Sequence, residues 1–190
     1  MLVLGLSGSP RPDGNTSLLL DRFLEGAATG QARTKKINLT DLNISACTHC
    51  DVCSETAACL LDDDMIAVYS EIDKADILVL ASPLQFMTVT ADMKLAIDRC
   101  QVYWARKYVL GMPPLAGERK RRGVFISVGG QKGRSIFDAA RVTVKALFVS
   151  LDIEYSGELL FPGIDEKGAI THYPGAMQQA YDMGITITQH

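Results

Sequence analysis

Three short, nearly unbroken apolar runs constrain this chain more than any other feature. They are Leu2 to Ser7, Asp76 to Ala81 and Gly123 to Val128. A strand with one wet face alternates polar and apolar residues, whereas a strand buried on both faces reads as a continuous apolar run. Segments of helical spacing separate the runs. Leu19, Phe23 and Ala27 recur between about Thr16 and Ala28, and Met93, Ile97 and Cys100 share a face over about Thr90 to Gln101. Phe137, Ala140, Val144, Leu147 and Leu151 keep the same three-to-four rhythm. Lys35 to Leu39 and Ile153 to Phe161 complete five predicted strands, and a last helix follows Tyr173. Alternating strands and helices imply right-handed crossovers and a parallel sheet covered on both faces. The predicted fold is a three-layer α/β/α doubly wound sheet of five parallel strands, order 2-1-3-4-5, which binds ligands beyond the strand C-termini. Three loops leave those ends: 8–15, 82–89 and 129–133.

The 190 residues, 47% of them hydrophobic, suffice for a buried core. With no repeat or linker in view, residues 1–190 read as a single domain. Its additions are a cysteine-bearing loop at 45–62 and a C-terminal arm or helix after 172. A net charge of −3 does not favour nucleic acid or an anionic membrane as partner. The basic cluster Arg119 to Arg122, after Glu118, reads as a solvated loop. No apolar run reaches the ~20 residues of a membrane span, and no basic region precedes the apolar N-terminus. A cytoplasmic location is expected.

The first loop carries the clearest chemistry. Ser7-Gly8-Ser9-Pro10-Arg11-Pro12-Asp13-Gly14-Asn15-Thr16-Ser17 runs directly from a strand into a helix. A helix N-terminus presents free N–H groups and a partial positive charge. Glycines let the backbone come close, Ser9, Asn15, Thr16 and Ser17 add donors, and Arg11 adds a cation. This inventory suits a phosphate monoester. The loop lacks the Gly-Lys-Ser/Thr ending of an NTPase P-loop and does not complete G-x-G-x-x-G. Asn, Thr and Ser also cap helices without any ligand; the position after strand one of a doubly wound sheet tips the balance toward phosphate.

Gly8-Ser9-Pro10-Arg11 with Gly14-Asn15-Thr16 resembles the signature of the NAD(P)H-dependent FMN reductases and related iron–sulfur flavoproteins, a flavodoxin-like family. Ala81-Ser82-Pro83-Leu84-Gln85-Phe86 and the pattern Met93-Lys94 to Asp98-Arg99 continue the resemblance over about residues 1 to 150. The resemblance implies that Ser9, Arg11, Asn15, Thr16 and Ser17 hold the FMN phosphate. It places Pro83, Leu84, Gln85 and Phe86 against the isoalloxazine and ribityl chain, and Gly129 and Gly130 at the other edge of the ring. Gln85 stands where the family usually has an aromatic residue, so ring stacking there departs from the family pattern. Phe86 and Met87 also suit a subunit contact.

Five cysteines are present, and four lie within thirteen residues, as Cys47-x2-Cys50-x2-Cys53-x5-Cys59. In a reducing compartment such crowding points to metal or redox chemistry. The spacing resembles the compact ligand run of a four-iron, four-sulfur (4Fe-4S) cubane, with Leu60 where bacterial ferredoxins carry Pro. Zinc is the second choice, since structural zinc usually takes two separated CxxC knuckles, and the family also contains cluster-free reductases. His49 reads as exposed, Asp62-Asp63-Asp64 as a helix-opening acidic run, and Cys100 as a buried thiol.

The leading expectation is an FMN-dependent oxidoreductase of iron–sulfur flavoprotein type. It would pass electrons between small-molecule or protein donors and acceptors, with NAD(P)H a possible transient donor. Two alternatives stand: an NAD(P)H-dependent FMN or quinone reductase without a cluster, and a non-enzymatic electron carrier. No nucleophile–base pair is evident, so no catalytic side chain is nominated; His172 and His190 stay unassigned. The resemblance implies a homodimer or homotetramer, with Phe86, Met87, Tyr103, Trp104 and Tyr108 as exposed contact candidates; Trp104 and its neighbours suit packing on their own domain equally well.

Overall fold

A computed structural model describes residues 1–117 and 119–189. Glu118, which precedes the basic cluster, and the unassigned His190 lie outside the described residues. Strands β1 (Leu2–Ser7), β2 (Arg33–Asn38), β3 (Ile77–Ala81), β4 (Arg121–Gly129) and β5 (Ile153–Pro162) pair in parallel in the order β2-β1-β3-β4-β5. This is the predicted doubly wound topology. The helices are α1 (Asn15–Thr29), α2 (Cys53–Thr56), α3 (Met65–Lys74), α4 (Ala91–Arg99), α5 (Gln101–Tyr108), α6 (Asp138–Ser150) and α7 (Ala176–Ile187). No helix among the described residues is long and apolar enough to cross a membrane.

The sheet divides the core in two. One face gathers Leu4, Leu6, Leu78 and Leu80 with Met65, Met93, Tyr103, Val144 and Leu147 from α3 to α6. The other gathers Val3, Val79 and Ile126 with Leu19, Phe23 and Ala27 of α1 and Ala176 and Ala180 of α7. The continuous apolar runs follow from this: alternate residues of β1, β3 and β4 enter opposite cores, and both are dry.

Three departures from the sequence reading are local. β3 starts at Ile77, one residue after Asp76, whose carboxylate accepts from the Leu2 N–H at 2.7 Å. The basic cluster is a solvated loop only in its first half, where Arg119 and Lys120 are exposed. Arg121 opens β4 and is buried, donating to the carbonyls of Ala75, Asp73 and Ala116 at 3.1, 3.2 and 2.5 Å. Arg119 meets Asp76 at 2.9 Å. Tyr103 is also not exposed. The helix expected to end near Gln101 pauses at Cys100, and α5 then carries Tyr103 into the core, where its hydroxyl donates to the Tyr69 carbonyl at 3.3 Å.

The docking of α7 has a simple origin. A Cβ at Gly26 of α1 would stand 2.1 Å from the Tyr181 carbonyl oxygen, and one at Gly184 of α7 would stand 2.1 Å from that of Phe23. Two glycines face each other's helix, so the two backbones touch.

Candidate functional site

The bend after β1 is held from both sides. Gly8 N–H donates to the Ala81 carbonyl at 2.8 Å, and Thr90 Oγ1 donates to the Gly8 carbonyl at 2.7 Å. Any side chain at Gly8 would strike Thr90 and Met93. Gly14 N–H closes on the Arg11 carbonyl at 3.0 Å, with Asp13 at a φ of 54°. A Cβ at Gly14 would sit 2.7 Å from Ser9 Oγ.

α1 then begins with its donors free. Its first intrahelical bond runs from Leu18 N–H to the Gly14 carbonyl at 3.0 Å. The N–H groups of Asn15, Thr16 and Ser17 have no protein acceptor among the described residues. The first turn holds no acidic side chain that could cap them. Thr16 Oγ1 is buried and has no partner either. Unmet donors at a helix N-terminus are an anion site in waiting.

The second and third loops form the opposite wall. Ser127 hydroxyl donates to the Ser82 carbonyl at 2.7 Å, and Leu84 N–H donates to the Val128 carbonyl at 2.9 Å. Gln85 and Thr88 exchange backbone bonds at 2.9 and 3.1 Å around a two-residue turn. That turn sets Phe86 and Met87 at φ values of 48° and 66°, a conformation that favours Asn and Gly. Phe86 is fully exposed and Met87 partly so.

These loops bound a cleft of about 580 Å³, its open mouth included. Of the predicted FMN residues, Ser9, Arg11, Asn15, Thr16, Pro83, Leu84, Gln85 and Gly130 line it. Ser17 does not, because its hydroxyl accepts from Lys36 Nζ at 2.7 Å on the side of β2. Phe86 points to solvent beyond it, and Gly129 lies buried behind Leu84 and Ile136.

The sequence reading missed a fourth wall, Ile164 and Asp165 after β5. Arg11 Nη1 donates to the Asp165 carbonyl at 3.0 Å, and Asn15 Nδ2 donates to the Glu166 carbonyl at 2.8 Å. Asn15 Oδ1 accepts from Ile170 N–H at 3.2 Å. Two residues expected to grip a phosphate by their side chains thus also clasp this loop. The signal was available, since 163–170 leaves a strand C-terminus like the other three loops.

The cysteine loop folds beside α4 and α5, away from this cleft. Cys47, Cys50, Cys53 and Cys59 line one small cavity with Leu61, Arg99 and Val102. All five cysteines are free thiols. Burial raises the pKa of Cys53, and the neighbouring Cys47, Cys59 and Cys50 raise it further, so the four sulfurs share one electrostatic neighbourhood. Among the described residues no three Cys, His, Asp or Glu side chains converge on a point as ligands of one ion would. The four cysteines line the cavity instead. A cubane needs that arrangement, because each of its irons takes a single thiolate.

Arg99, the last residue of α4, walls this cavity with its side chain wholly buried. Its Nη1 donates to the Ser45 carbonyl at 2.9 Å and to Asp63 at 2.5 Å, and Nη2 donates to the Leu61 carbonyl at 3.5 Å. Nε has no acceptor among the described residues. Arg106 holds the other flank, donating to the Ala57 carbonyl at 3.0 Å. Asp63 is therefore more than a helix-opening acid. It also accepts from the N–H groups of Ser45 and Met65 at 2.9 and 3.0 Å. Burial works against its charge, but Arg99 and these N–H groups hold its pKa below the ordinary value. His49 is exposed, and burial pushes the Cys100 thiol up to about 12.

Such a sheet, with an anion-receptive bend at its switch point, defines a flavodoxin-like fold. The chain belongs to the NADPH-dependent FMN reductase family, which matches residues 1–148. It is 38% identical over 99 residues to an iron-sulfur flavoprotein of Methanocaldococcus jannaschii, covering 52% of this chain and 51% of that one. An iron-sulfur flavoprotein of Archaeoglobus fulgidus is 30% identical over 150 residues, 77% of this chain and 69% of that one. The chain spans about half the length of two such curated relatives. Among solved structures, the NAD(P)H:quinone oxidoreductase from Methanothermobacter marburgensis superposes with a TM-score of 0.73 at 17% identity, covering 100% of this chain and 97% of that one. That likeness is one of fold.

Proposed function

We propose that this chain is an FMN-dependent oxidoreductase that takes electrons from NAD(P)H and carries a 4Fe-4S cluster on Cys47, Cys50, Cys53 and Cys59. The observation that carries the flavin reading is the set of unmet donors at the start of α1. The N–H groups of Asn15, Thr16 and Ser17 and the buried Thr16 hydroxyl want an anion, and no protein group among the described residues supplies one. A phosphate monoester satisfies them. Leu84, Val128 and Ile164 then offer apolar walls to a flat ring, and the Leu84–Val128 backbone bond keeps two of them in register. Gln85 presents an amide where stacking would need an aromatic ring.

When bound, FMN exchanges electrons in pairs with a hydride donor or singly, and a cubane passes them one at a time. The protein's own contribution is position, hydrogen bonding and exclusion of water. The curated relatives named iron-sulfur flavoproteins support the cluster, as does the thiol-lined cavity. Exposed Phe86, Met87, Trp104 and Tyr108 are the surface through which we expect a homodimer or homotetramer to form.

Anaerobic purification followed by flavin and iron analysis tests the proposal. One FMN and about four irons per chain, with flavin bleached by NADH or NADPH, are the expected result. Yellow, iron-free protein that NAD(P)H bleaches would instead select a cluster-free reductase. Protein with FMN but no turnover would select an electron carrier.

A further inference from the structure

We infer that Arg99 is a positioning residue for the group held by the four cysteines: its Nε–H donates to a sulfur of that group, and its charge opposes the group's negative charge. The inference rests on the cluster proposed above, and deepens it by naming a residue that sets the cluster's reduction potential.

Three observations converge on Arg99. Arg99 walls the same cavity as Cys47, Cys50, Cys53 and Cys59, whereas its carboxylate partner Asp63 does not. Its side chain is wholly buried, so a donor it leaves unmet has no water to fall back on. Of its nitrogens, Nη1 and Nη2 are committed to Ser45, Asp63 and Leu61, while Nε remains without an acceptor. A buried donor left unmet is costly, and more so on a charged group. An acceptor inside the cavity removes that cost.

The chemistry of the donor set fits the same conclusion. Four thiolates around a cubane leave a net negative charge, and reduction by one electron adds another. A cation and an N–H···S bond favour the more negative state, which raises the potential. Asp63 does the opposite, because its carboxylate cancels part of the Arg99 field. Removing the one and removing the other must therefore move the potential in opposite directions. A residue that merely braced the loop would not produce that pattern.

The test is spectroelectrochemical titration of anaerobically iron- and sulfide-reconstituted protein, with iron content and the flavin potential measured alongside. The cluster potential is expected to shift negative in Arg99→Gln, less so in Arg99→Lys, which keeps the charge, and positive in Asp63→Asn. Iron content and the flavin potential stay as in wild type. Should Arg99→Gln fail to fold or to hold iron, Asp63→Asn carries the test, since every donor of Arg99 survives in it. A cluster potential unchanged in the variants that load, or shifted in the same direction by both kinds, overturns the role of Arg99 and leaves the cluster in place. Wild-type protein that holds no iron after reconstitution overturns the cluster itself, and the inference with it.

Discussion

The carboxylate of Asp63 and the guanidinium of Arg99 meet at 2.5 Å with their side chains 6% and 0% exposed, tying the entrance of α3 to the last residue of α4. The same carboxylate also receives the Ser45 N–H, so one ion pair anchors the near end of the cysteine loop. Removing one partner of a buried pair strands the other. Asp63→Ala is expected to cost about 3 kcal/mol, read from urea denaturation of the cluster-free protein at pH 7. The depressed pKa of Asp63 has a further consequence. Its stabilisation is fully present above the unfolded carboxylate value of about 3.9 and is lost as pH falls through the lower folded value. The variant should therefore lose less stability than wild type between neutral and strongly acid pH.

The crossing of α1 and α7 gives a prediction whose sign depends on magnitudes. Helix propensity alone favours Gly→Ala by about 1 kcal/mol. At Gly26 and Gly184, however, the new Cβ would lie 2.1 Å from a backbone oxygen of the other helix. Overpacking of that kind costs about 1–3 kcal/mol and more against backbone, so the clash wins. Both Gly26→Ala and Gly184→Ala should lower the thermal midpoint, measured by circular dichroism.

Thr16 isolates one donor of the proposed phosphate cradle. Thr16→Val keeps the shape and removes the unpartnered hydroxyl. One hydrogen bond to a charged acceptor is worth about 1.5–3 kcal/mol, so FMN affinity should fall at least about tenfold, followed by quenching of flavin fluorescence. The fold should be unaffected, because the hydroxyl bonds no protein group among the described residues.

Much of this architecture is legible before any coordinates. β1, β3 and β4 are readable because they are buried on both faces and carry no polar alternation. β2 is less so: it lies at the sheet edge with Arg33, Thr34 and Lys35 exposed, and only pairing with Leu2, Val3 and Leu4 extends it back to Arg33. Helix periodicity cannot reveal the α1–α7 contact, since a close approach of glycines carries no apolar signal. The site divides in the same way. The bend at 8–17 is local and shows itself in composition, whereas Arg11 and Asn15 reach residues 154 and 151 positions away. Asp63 and Arg99 are 36 apart, and a motif reading sees each only as part of its own segment.

The turn at Phe86 and Met87 stores strain. Bulky residues at these positive φ values cost about 1 kcal/mol or more each. The single change Met87→Gly relieves one of the two positions and leaves Phe86 exposed. A higher thermal midpoint is expected at concentrations where the chain is monomeric. Phe86→Ser should shift size-exclusion elution toward the monomer if the exposed ring serves the proposed contact between copies; unchanged elution of an oligomeric protein would remove Phe86 from that surface.

The most direct measurement of the central claim compares FMN with riboflavin, which lacks only the phosphate. If the open amides of Asn15, Thr16 and Ser17 and the Thr16 hydroxyl hold that phosphate, FMN should bind about 100-fold more tightly or better, the equivalent of one or two charge-assisted hydrogen bonds. Equal affinity for the two flavins would contradict the account.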